Sequence, residues 1–353
     1  MVKSKLKEII SSVPTYVIEN LKVNGNYAKG FFDVPIATVE SPVAITTNRG
    51  RKATNLAGGI NTIVERDVMT RAPLISFYNK FDAQKFKNYV YNNNSLLKKI
   101  AESSTNYGKL KFIETKVLNE DVYMRIGMFC GDAAGHNMTT NATAKIIHYL
   151  RNESKFKEKI NFCALSSNYC TDKKPSMINL EKGRGKKVVA SVNLNEDIVK
   201  KVLKTTSEKI VMLNYKKNVV GSELAGALGG NNSHYANMLA GLYIATGQDV
   251  ANIVEGSMGR TSAELKSDNS LEFKVDIPCM IVGTVGGGTK NGYAKQNLKK
   301  LGCYNTGDFP GHNSKKLAEI FSAIVLAGEL STMAALTTAE KFIDAHLKYE
   351  RGI

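Results

Sequence analysis

Tryptophan is absent from this 353-residue chain, and cysteine is scarce. An odd number of cysteines without a CxxC pair argues against a disulfide framework and against a cysteine zinc site, so reduced core thiols are expected. Cys170 has the best case for reactivity, because it stands close to Lys173 and a nearby cation lowers the pKa of a thiol. We still favour core packing for it. The five cysteines are Cys130, Cys163, Cys170, Cys279 and Cys303.

Long apolar runs are also absent. The most apolar stretch, IFSAIVLAG, is ended by Glu329, well short of the roughly 18 residues that a membrane span requires. The basic N-terminus, MVKSKLKEIISSVP, lacks the apolar centre and cleavage site of a signal peptide. The histidines are dispersed, so no metal site is predicted. We therefore expect a soluble, cytoplasmic protein with no membrane partner.

Positive charge is plentiful, with a formal net charge of +16. A basic surface attracts anions, but the lysines are scattered, and they form no recognisable nucleic-acid motif with interleaved aromatic residues. Nucleic acid is therefore an unlikely partner. A solvated lysine-rich surface explains most of the excess, and the remainder suits a polyanionic small molecule such as a dinucleotide.

The order of predicted elements indicates two domains, since the chain is long enough for more than one core. VPIATVE predicts a strand that leads into a helix after Pro42. Helical patterns over 82–103 and 137–151 surround the strand-like segments KLKFIETKV and VYMRIGMFC. NFCALSS and KKVVASVNL predict further strands, and helical segments are expected from Asn195 onwards, most clearly over 234–254 and 314–347.

A series of short segments follows in a fixed order: VPIATVE, MTRAP, GDAAGHN, SSNYCTDKKP, NVVGSELAGALGGNNSHYAN, YIATGQDVANIV, GTVGGGT, AGELSTMAAL and DAHLKYERGI. Together they resemble the 3-hydroxy-3-methylglutaryl-coenzyme A reductase family over roughly residues 32 to 351. Any one segment is a weak signal, but their common order is specific.

The resemblance implies an α+β fold and a domain arrangement. A large, mostly helical substrate domain would comprise residues 1–73 and 163–340. A small ferredoxin-like domain that binds the nicotinamide nucleotide would be inserted at 74–162, and residues 341–353 would form a C-terminal flap. The family also implies a homodimer or higher homo-oligomer with active sites between subunits, an acyl-coenzyme A thioester as substrate, and NADPH or NADH as reductant.

Reducing a thioester to an alcohol needs two hydrides, a cation beside each developing oxyanion, and proton donors. The resemblance assigns these tasks to Glu40, Lys173, Asp249 and His346. Taken alone, Lys173 is more often a surface lysine, Glu40 a helix cap or ion-pair partner, and His346 a solvent-facing residue of a fraying helix. Asp249 lies in a mainly apolar, helical pattern and needs a partner, for which the family offers Lys173.

Binding residues are carried over in the same way. The substrate carboxylate is assigned to the forked donors of Arg71 and to Ser166, Asn168, Lys174, His234 and Asn237, although a core histidine is nearly as good a reading of His234. GDAAGHN stands between a strand and a helix, where backbone N–H groups cradle a pyrophosphate, and GTVGGGT allows close backbone approach. The predicted nucleotide-binding residues are Asp132, Ala133, Gly135, Asn137, Gly286, Gly287, Gly288 and Arg351.

Several positions depart from the family pattern. The segment VIENLKVNGNYAKGFF replaces a family stretch that contributes to coenzyme A binding, Ser41 replaces a glycine, and His136 follows the nucleotide turn. The reaction implied is reduction of 3-hydroxy-3-methylglutaryl-coenzyme A to mevalonate. The same chemistry on another carboxylate-bearing thioester is the alternative, and a non-catalytic anion-binding or nucleic-acid-binding relative is the competing class.

Overall fold

The computed structural model describes residues 9, 11–304, 307–338 and 347. Its strands are β1 Thr15–Gly25, β2 Lys29–Ala37, β3 Ile60–Arg71, β4 Leu74–Phe77, β5 Lys109–Leu118, β6 Asp121–Phe129, β7 Ile160–Ala164, β8 Gly185–Leu194, β9 Arg260–Leu265 and β10 Leu271–Met280.

The α-helices are α1 Ser41–Leu56, α2 Lys80–Asn92, α3 Asn94–Glu102, α4 His136–Asn152, α5 Met177–Lys182, α6 Glu196–Ile198, α7 Ser207–Leu213, α8 Ser222–Leu224, α9 Tyr235–Thr246, α10 Ile253–Gly256, α11 Gly292–Lys300 and α12 His312–Leu336. Short 3-10 helices span Lys157–Lys159, Val250–Asn252 and Gly287–Lys290, and π-helical segments span Val199–Leu203 and Asn214–Gly221. The predicted α+β class is confirmed.

The long strand β3 joins two groups of strands. Its first part pairs with β8 and β1, and its last residues, Met69 to Arg71, pair antiparallel with β6. On one side the strand order is β2-β1-β3-β8-β10-β9, and on the other it is β7-β4-β6-β5. Arg71 therefore lies where the two groups of strands meet.

The second group has its own core. Along the chain the order is β4, α2 and α3, β5, β6, α4 and β7, which is the β-α-β-β-α-β pattern of a ferredoxin-like unit. Phe156 packs edge-on against Phe77 and Phe86 in a cluster separate from the main core. The two predicted helical stretches are present, but the first is divided at Asn93. The domain boundaries at about 73 and 163 stay a prediction.

The main core surrounds α12. This helix is long and apolar enough to cross a membrane, yet 94% of its most apolar window is buried in the protein, as expected of a core helix. It packs against α1, α9 and β8. Its Glu319 carboxylate accepts backbone N–H groups of Asn26, Tyr27 and Ala28, at 3.2, 2.8 and 2.7 Å. That contact anchors the β1–β2 hairpin, which is the segment that departs from the family pattern.

Three expectations about secondary structure were wrong. The part of the chain after Asn195 is not purely helical, because β9 and β10 form a hairpin whose β10 side chains alternate between buried and less buried positions. The helix expected over 234–254 ends at Thr246, where Gly247 takes φ +67°, a left-handed conformation that terminates helices. Asp249 therefore lies outside that helix. The helix expected over 314–347 begins at His312 and ends at Leu336.

Candidate active site

A cleft of about 740 Å³ opens where the two groups of strands meet. Four segments form most of its wall, together with Arg71 at the end of β3: the turn GDAAGHN, the loop SSNYCTDKKP, the turn GQD and the turn GTVGGGT. Its lining residues include Arg71, Ala133, Gly135, His136, Asn137, Asp172, Lys173, Asp249, Gly286, Gly287 and Gly288. Segments that are far apart in the chain thus converge on one space.

The cleft contains an ion pair between two residues predicted to be catalytic. Lys173 Nζ lies 2.7 Å from Asp249 Oδ2, and the two side chains are 39% and 44% exposed. The hydrogen bond to Asp249 raises the pKa of Lys173 above its ordinary value. Burial acts to raise the pKa of Asp249, but the hydrogen bond and charge of Lys173 outweigh it, so the Asp249 pKa is lowered. Both groups are ionised at neutral pH, and the cleft holds a fixed ammonium group.

Asp249 is positioned by a helix cap. It precedes the 3-10 helix Val250–Asn252, and its Oδ1 accepts the backbone N–H of Ala251 at 3.2 Å. The other carboxylate oxygen is then left for Lys173. The expected partnership of Asp249 with Lys173 is present, although it rests on a cap rather than on burial within a helix.

Lys173 belongs to a loop with unusual backbone geometry. Asn168, Thr171 and Lys173 have φ values of +63°, +48° and +57°, and such left-handed conformations cost free energy for residues other than glycine. Asn179 Nδ2 donates to the Thr171 carbonyl at 3.2 Å and Ser176 Oγ donates to Thr171 Oγ1 at 2.9 Å. Strain of this kind persists where the surroundings determine the backbone, often at functional sites.

A chain of buried charges supports the same loop. Asp172 joins Arg71 at 3.2 Å to Arg184 at 3.1 Å, and Arg184 NH1 lies 2.7 Å from Glu255 Oε1. Arg184 and Glu255 are 1% and 0% exposed. Burial raises the pKa of Glu255, while Arg184 and a backbone hydrogen bond from Lys173 act in the opposite direction. Glu255 therefore holds the Arg184 guanidinium, which in turn holds Asp172 beside Lys173.

Neither Arg184 nor Glu255 was predicted from the sequence. GRGKK and IVEGS contain no motif that indicates a buried ion pair, because the two segments meet only through the fold. A charged residue inside an apolar pattern was the one signal available, and Glu255 in ANIVEGSM carries it.

Several predicted residues lie away from the cleft. Glu40, Ser166, Asn168, Lys174 and Asn237 are exposed, and none of them is among the described residues that line the cleft. Glu40 stands exposed at the N-cap of α1 in a single chain. In a single chain, Glu40 has no ion-pair partner among the described residues.

His234 and Asn237 are placed by another buried carboxylate. Glu329 on α12 accepts the backbone N–H groups of Ser233 and His234, at 2.6 and 3.1 Å, and the Thr261 hydroxyl at 2.8 Å. His234 is consequently the N-cap residue of α9 rather than a residue within the helix. The charge of Glu329 also acts on Lys217, in the π-helical segment Asn214–Gly221. Burial lowers the pKa of Lys217, and Glu329 acts in the opposite direction.

The two glycine turns of the cleft pack against each other. The Thr284 N–H donates to the Asp132 carbonyl at 2.7 Å, and Ala133 forms a parallel bridge with Val285. A Cβ on Gly283 would lie 2.3 Å from the Ala134 nitrogen, so only glycine allows this approach. The backbones of both turns are thereby presented to the same space.

The N-terminus of α4 faces that space. Its N-cap is Gly135, with φ +99° and no capping side chain, so the first N–H groups of the helix remain available to a phosphate. Across the cleft, Gly286 and Gly287 have positive φ values of +81° and +52°. These features fit the phosphates of a dinucleotide.

Asp132 has a further role that the sequence did not reveal. Its Oδ1 accepts the Ser314 N–H at 2.8 Å and its Oδ2 accepts the Gly311 N–H at 3.1 Å. Asp132 thus caps α12, and it lines an adjoining pocket of about 420 Å³ with Tyr107 and Phe309. His346 and Arg351 lie outside the described residues, and the described residues contain no group of three or more side chains suited to a metal ion.

Comparisons with known proteins give the family. Residues 10–351 match the family model of hydroxymethylglutaryl-coenzyme A reductase. The chain is 42% identical to the 3-hydroxy-3-methylglutaryl-coenzyme A reductase of Pyrococcus abyssi, over 96% of this chain and 82% of that protein. It is 43% identical to the reductase of Methanocaldococcus jannaschii, over 95% of this chain and 82% of that protein.

The fold is similar to that of a solved structure. A class II 3-hydroxy-3-methylglutaryl-coenzyme A reductase from Streptococcus pneumoniae, bound to NADPH in open conformations, superposes with a TM-score of 0.72. The sequence identity is 18%, and the match covers 95% of this chain and 88% of that chain. A likeness at this identity concerns the fold alone.

Proposed function

The chain belongs to the hydroxymethylglutaryl-coenzyme A reductase family, and we propose that Lys173 and Asp249 are the catalytic pair of its reaction. That reaction is the reduction of 3-hydroxy-3-methylglutaryl-coenzyme A to mevalonate with NADPH. The observation that carries the proposal is the Lys173–Asp249 ion pair at 2.7 Å, on the wall of a cleft with an uncapped helix N-terminus.

Lys173 supplies the positive charge that thioester reduction requires. When a hydride reaches the thioester carbon, the carbonyl oxygen becomes an oxyanion, and a fixed ammonium group stabilises it. The resulting hemithioacetal loses the coenzyme A thiolate to give an aldehyde, and a second hydride gives an alkoxide that takes a proton to form the alcohol. Asp249 keeps Lys173 charged and directed into the cleft through both reductions.

The glycine turns are the proposed dinucleotide site. Two molecules of NADPH, bound here one after the other, would each supply one hydride. The N–H groups at the start of α4 would hold its phosphates with Ala133, Gly135 and Asn137, opposite Gly286 to Gly288. Asp132 and Arg351 stay in the proposal as nucleotide-binding residues.

Arg71 is the proposed centre of substrate-carboxylate recognition. It lines the cleft at the end of β3, and Asp172 fixes its guanidinium. Further contacts are proposed for Ser166, Asn168, Lys174, His234 and Asn237.

The exposed site residues indicate how the site is completed. Glu40 and Asn237 are accessible in a single chain, and apolar Val39 and Leu224 are 81% and 84% exposed. We expect a second copy of the chain to cover such side chains, in a homodimer or higher homo-oligomer with active sites between subunits. Glu40 would then act as a proton donor, and His346 would protonate the departing thiolate. The proposed location is the cytoplasm.

Replacing Lys173 by alanine tests the catalytic pair. Loss of one oxyanion-stabilising group typically lowers turnover by about 10²- to 10³-fold, so the Lys173→Ala enzyme should oxidise NADPH that much more slowly while its affinity for NADP⁺ changes little. Lys182→Ala is the matched control, because Lys182 is similarly exposed and lies 2.7 Å from Glu114, away from the cleft. A Lys173→Ala enzyme as active as the Lys182→Ala enzyme would contradict the assignment.

A further inference from the structure

We propose that His136 couples dinucleotide binding in the cleft to the uptake of one proton. The inference rests on the proposed function, because it takes this cleft to be the dinucleotide site. It concerns a residue at which the sequence departs from the family pattern, and it adds a regulation by pH to the nucleotide-binding step.

His136 stands at the point where a dinucleotide phosphate would meet the catalytic pair. It is the first residue of α4, directly after the N-cap Gly135, and it lines the cleft together with Lys173 and Asp249. Its ring is half-buried in the wall of the cleft.

The ring is held in one orientation. His136 Nε2 lies 3.2 Å from Oδ1 of Asn252, a residue that is completely buried. A carbonyl oxygen only accepts a hydrogen bond, so Nε2 carries the proton and Nδ1 is the nitrogen that titrates. Among the described residues, Nδ1 has no hydrogen-bond partner. Protonation at Nδ1 therefore leaves the bond to Asn252 in place.

The surrounding charges keep the ring neutral in the free protein. Burial and the nearby Arg184 guanidinium lower the pKa of His136. Together they outweigh Asp172, Asp249 and the hydrogen bond that the ring donates to Asn252, which act to raise it. Lys173 contributes little net charge because it is paired with Asp249. The N-terminus of a helix also disfavours an added positive charge.

A bound dinucleotide reverses this balance. Its phosphates bring negative charge to the start of α4, next to His136, and a nearby negative charge stabilises the imidazolium form. The pKa of His136 then rises on binding, so the complex takes up a proton. By linkage, the affinity for the dinucleotide increases as pH falls. Between the pKa values of His136 in the free and in the bound protein, this increase is at most about tenfold per pH unit.

Isothermal titration calorimetry with NADP⁺ tests the inference. Titrations of the full-length protein between pH 5.5 and about 8, in buffers of different ionisation enthalpy, give the number of protons taken up on binding. We expect proton uptake by the unaltered protein and its loss in His136→Gln, which cannot titrate. Subtracting the His136→Gln result also removes protons that belong to the 2′-phosphate of NADP⁺.

His148→Gln is the matched control. His148 lies on the same helix, is exposed, and bonds to Asn152 instead of facing the cleft, so this variant should keep full proton uptake. If His136→Gln does not fold, NMR titration of the histidine rings in the unaltered protein, with and without NADP⁺, takes its place. One ring should show a raised pKa only in the complex.

The outcomes separate this inference from the proposed function. NADP⁺ binding with equal proton uptake in the unaltered protein and in His136→Gln would overturn the role of His136 and leave the dinucleotide site standing. Absence of NADP⁺ binding by the unaltered protein would overturn the proposed site, and the inference would fall with it.

Discussion

Replacing Asp67 by asparagine should reveal how much a buried ion pair contributes beneath the nucleotide turn. Asp67 on β3 and Lys186 on β8 are directly opposed across the two strands, with Lys186 Nζ 3.1 Å from Asp67 Oδ1. Their side chains are 12% and 4% exposed. Lys186 Nζ also donates to the Val282 carbonyl at 3.4 Å, immediately before GTVGGGT. Asp67→Asn keeps the shape of the side chain and removes its charge.

The expected loss follows from the charge left behind. Removing one partner of a buried pair typically costs about 3–5 kcal/mol, because the other charge remains uncompensated. After the substitution Lys186 Nζ keeps its hydrogen bond to the Val282 carbonyl, so we expect a loss toward the lower end of about 3–5 kcal/mol.

Urea unfolding at pH 7 measures this loss. Glu65→Gln is the matched control, because Glu65 pairs with Lys187 at 2.8 Å on the same two strands, but those side chains are 42% and 30% exposed. An exposed pair contributes about 0–1 kcal/mol. The reasoning is refuted if Asp67→Asn costs no more than Glu65→Gln.

Two other substitutions probe the nucleotide turn and the C-terminal segment. Gly283→Ala should destabilise the fold by about 1–3 kcal/mol and raise KM for NADPH, because its Cβ would meet the Ala134 nitrogen at 2.3 Å; Gly292→Ala, with no atom in the way, is the control in both assays. His346→Gln should slow reduction of the coenzyme A thioester far more than reduction of the free aldehyde, because a thiolate leaves only in the first half of the reaction. Equal impairment of both substrates would remove His346 from thiolate protonation.

The local sequence pattern was enough to predict the helices and strands that have strong periodicity or clear termini. The inserted segment was predicted with its helices and with β5 and β6 close to their observed bounds, because each has its own period and a turn on either side. The β9–β10 hairpin was missed, although Leu271 to Ile277 alternate between more and less buried positions. The end of α9 was also missed, since Gly247 lies inside an otherwise apolar run.

The sequence motifs predicted the catalytic candidates, but they did not predict the surroundings of those residues. TDKK and GQD identified Lys173 and Asp249 as partners, and the fold brings them to 2.7 Å. Glu40 came from the same reasoning, and it is exposed in a single chain, since burial depends on which surfaces cover a residue. In a single chain nothing among the described residues covers Glu40.

The sequence by itself determined the family, the α+β class and the identity of the residues that can stabilise an oxyanion, because these depend on residue type and on order along the chain. The tertiary structure decided which charges are buried together and which backbone groups face the cleft. Arg184 meets Glu255, Asp132 caps α12, and His136 meets Asn252. None of these contacts has a local signature, since each joins segments that are distant in the chain, and the free energy of such a contact exists only once packing has excluded water from both partners.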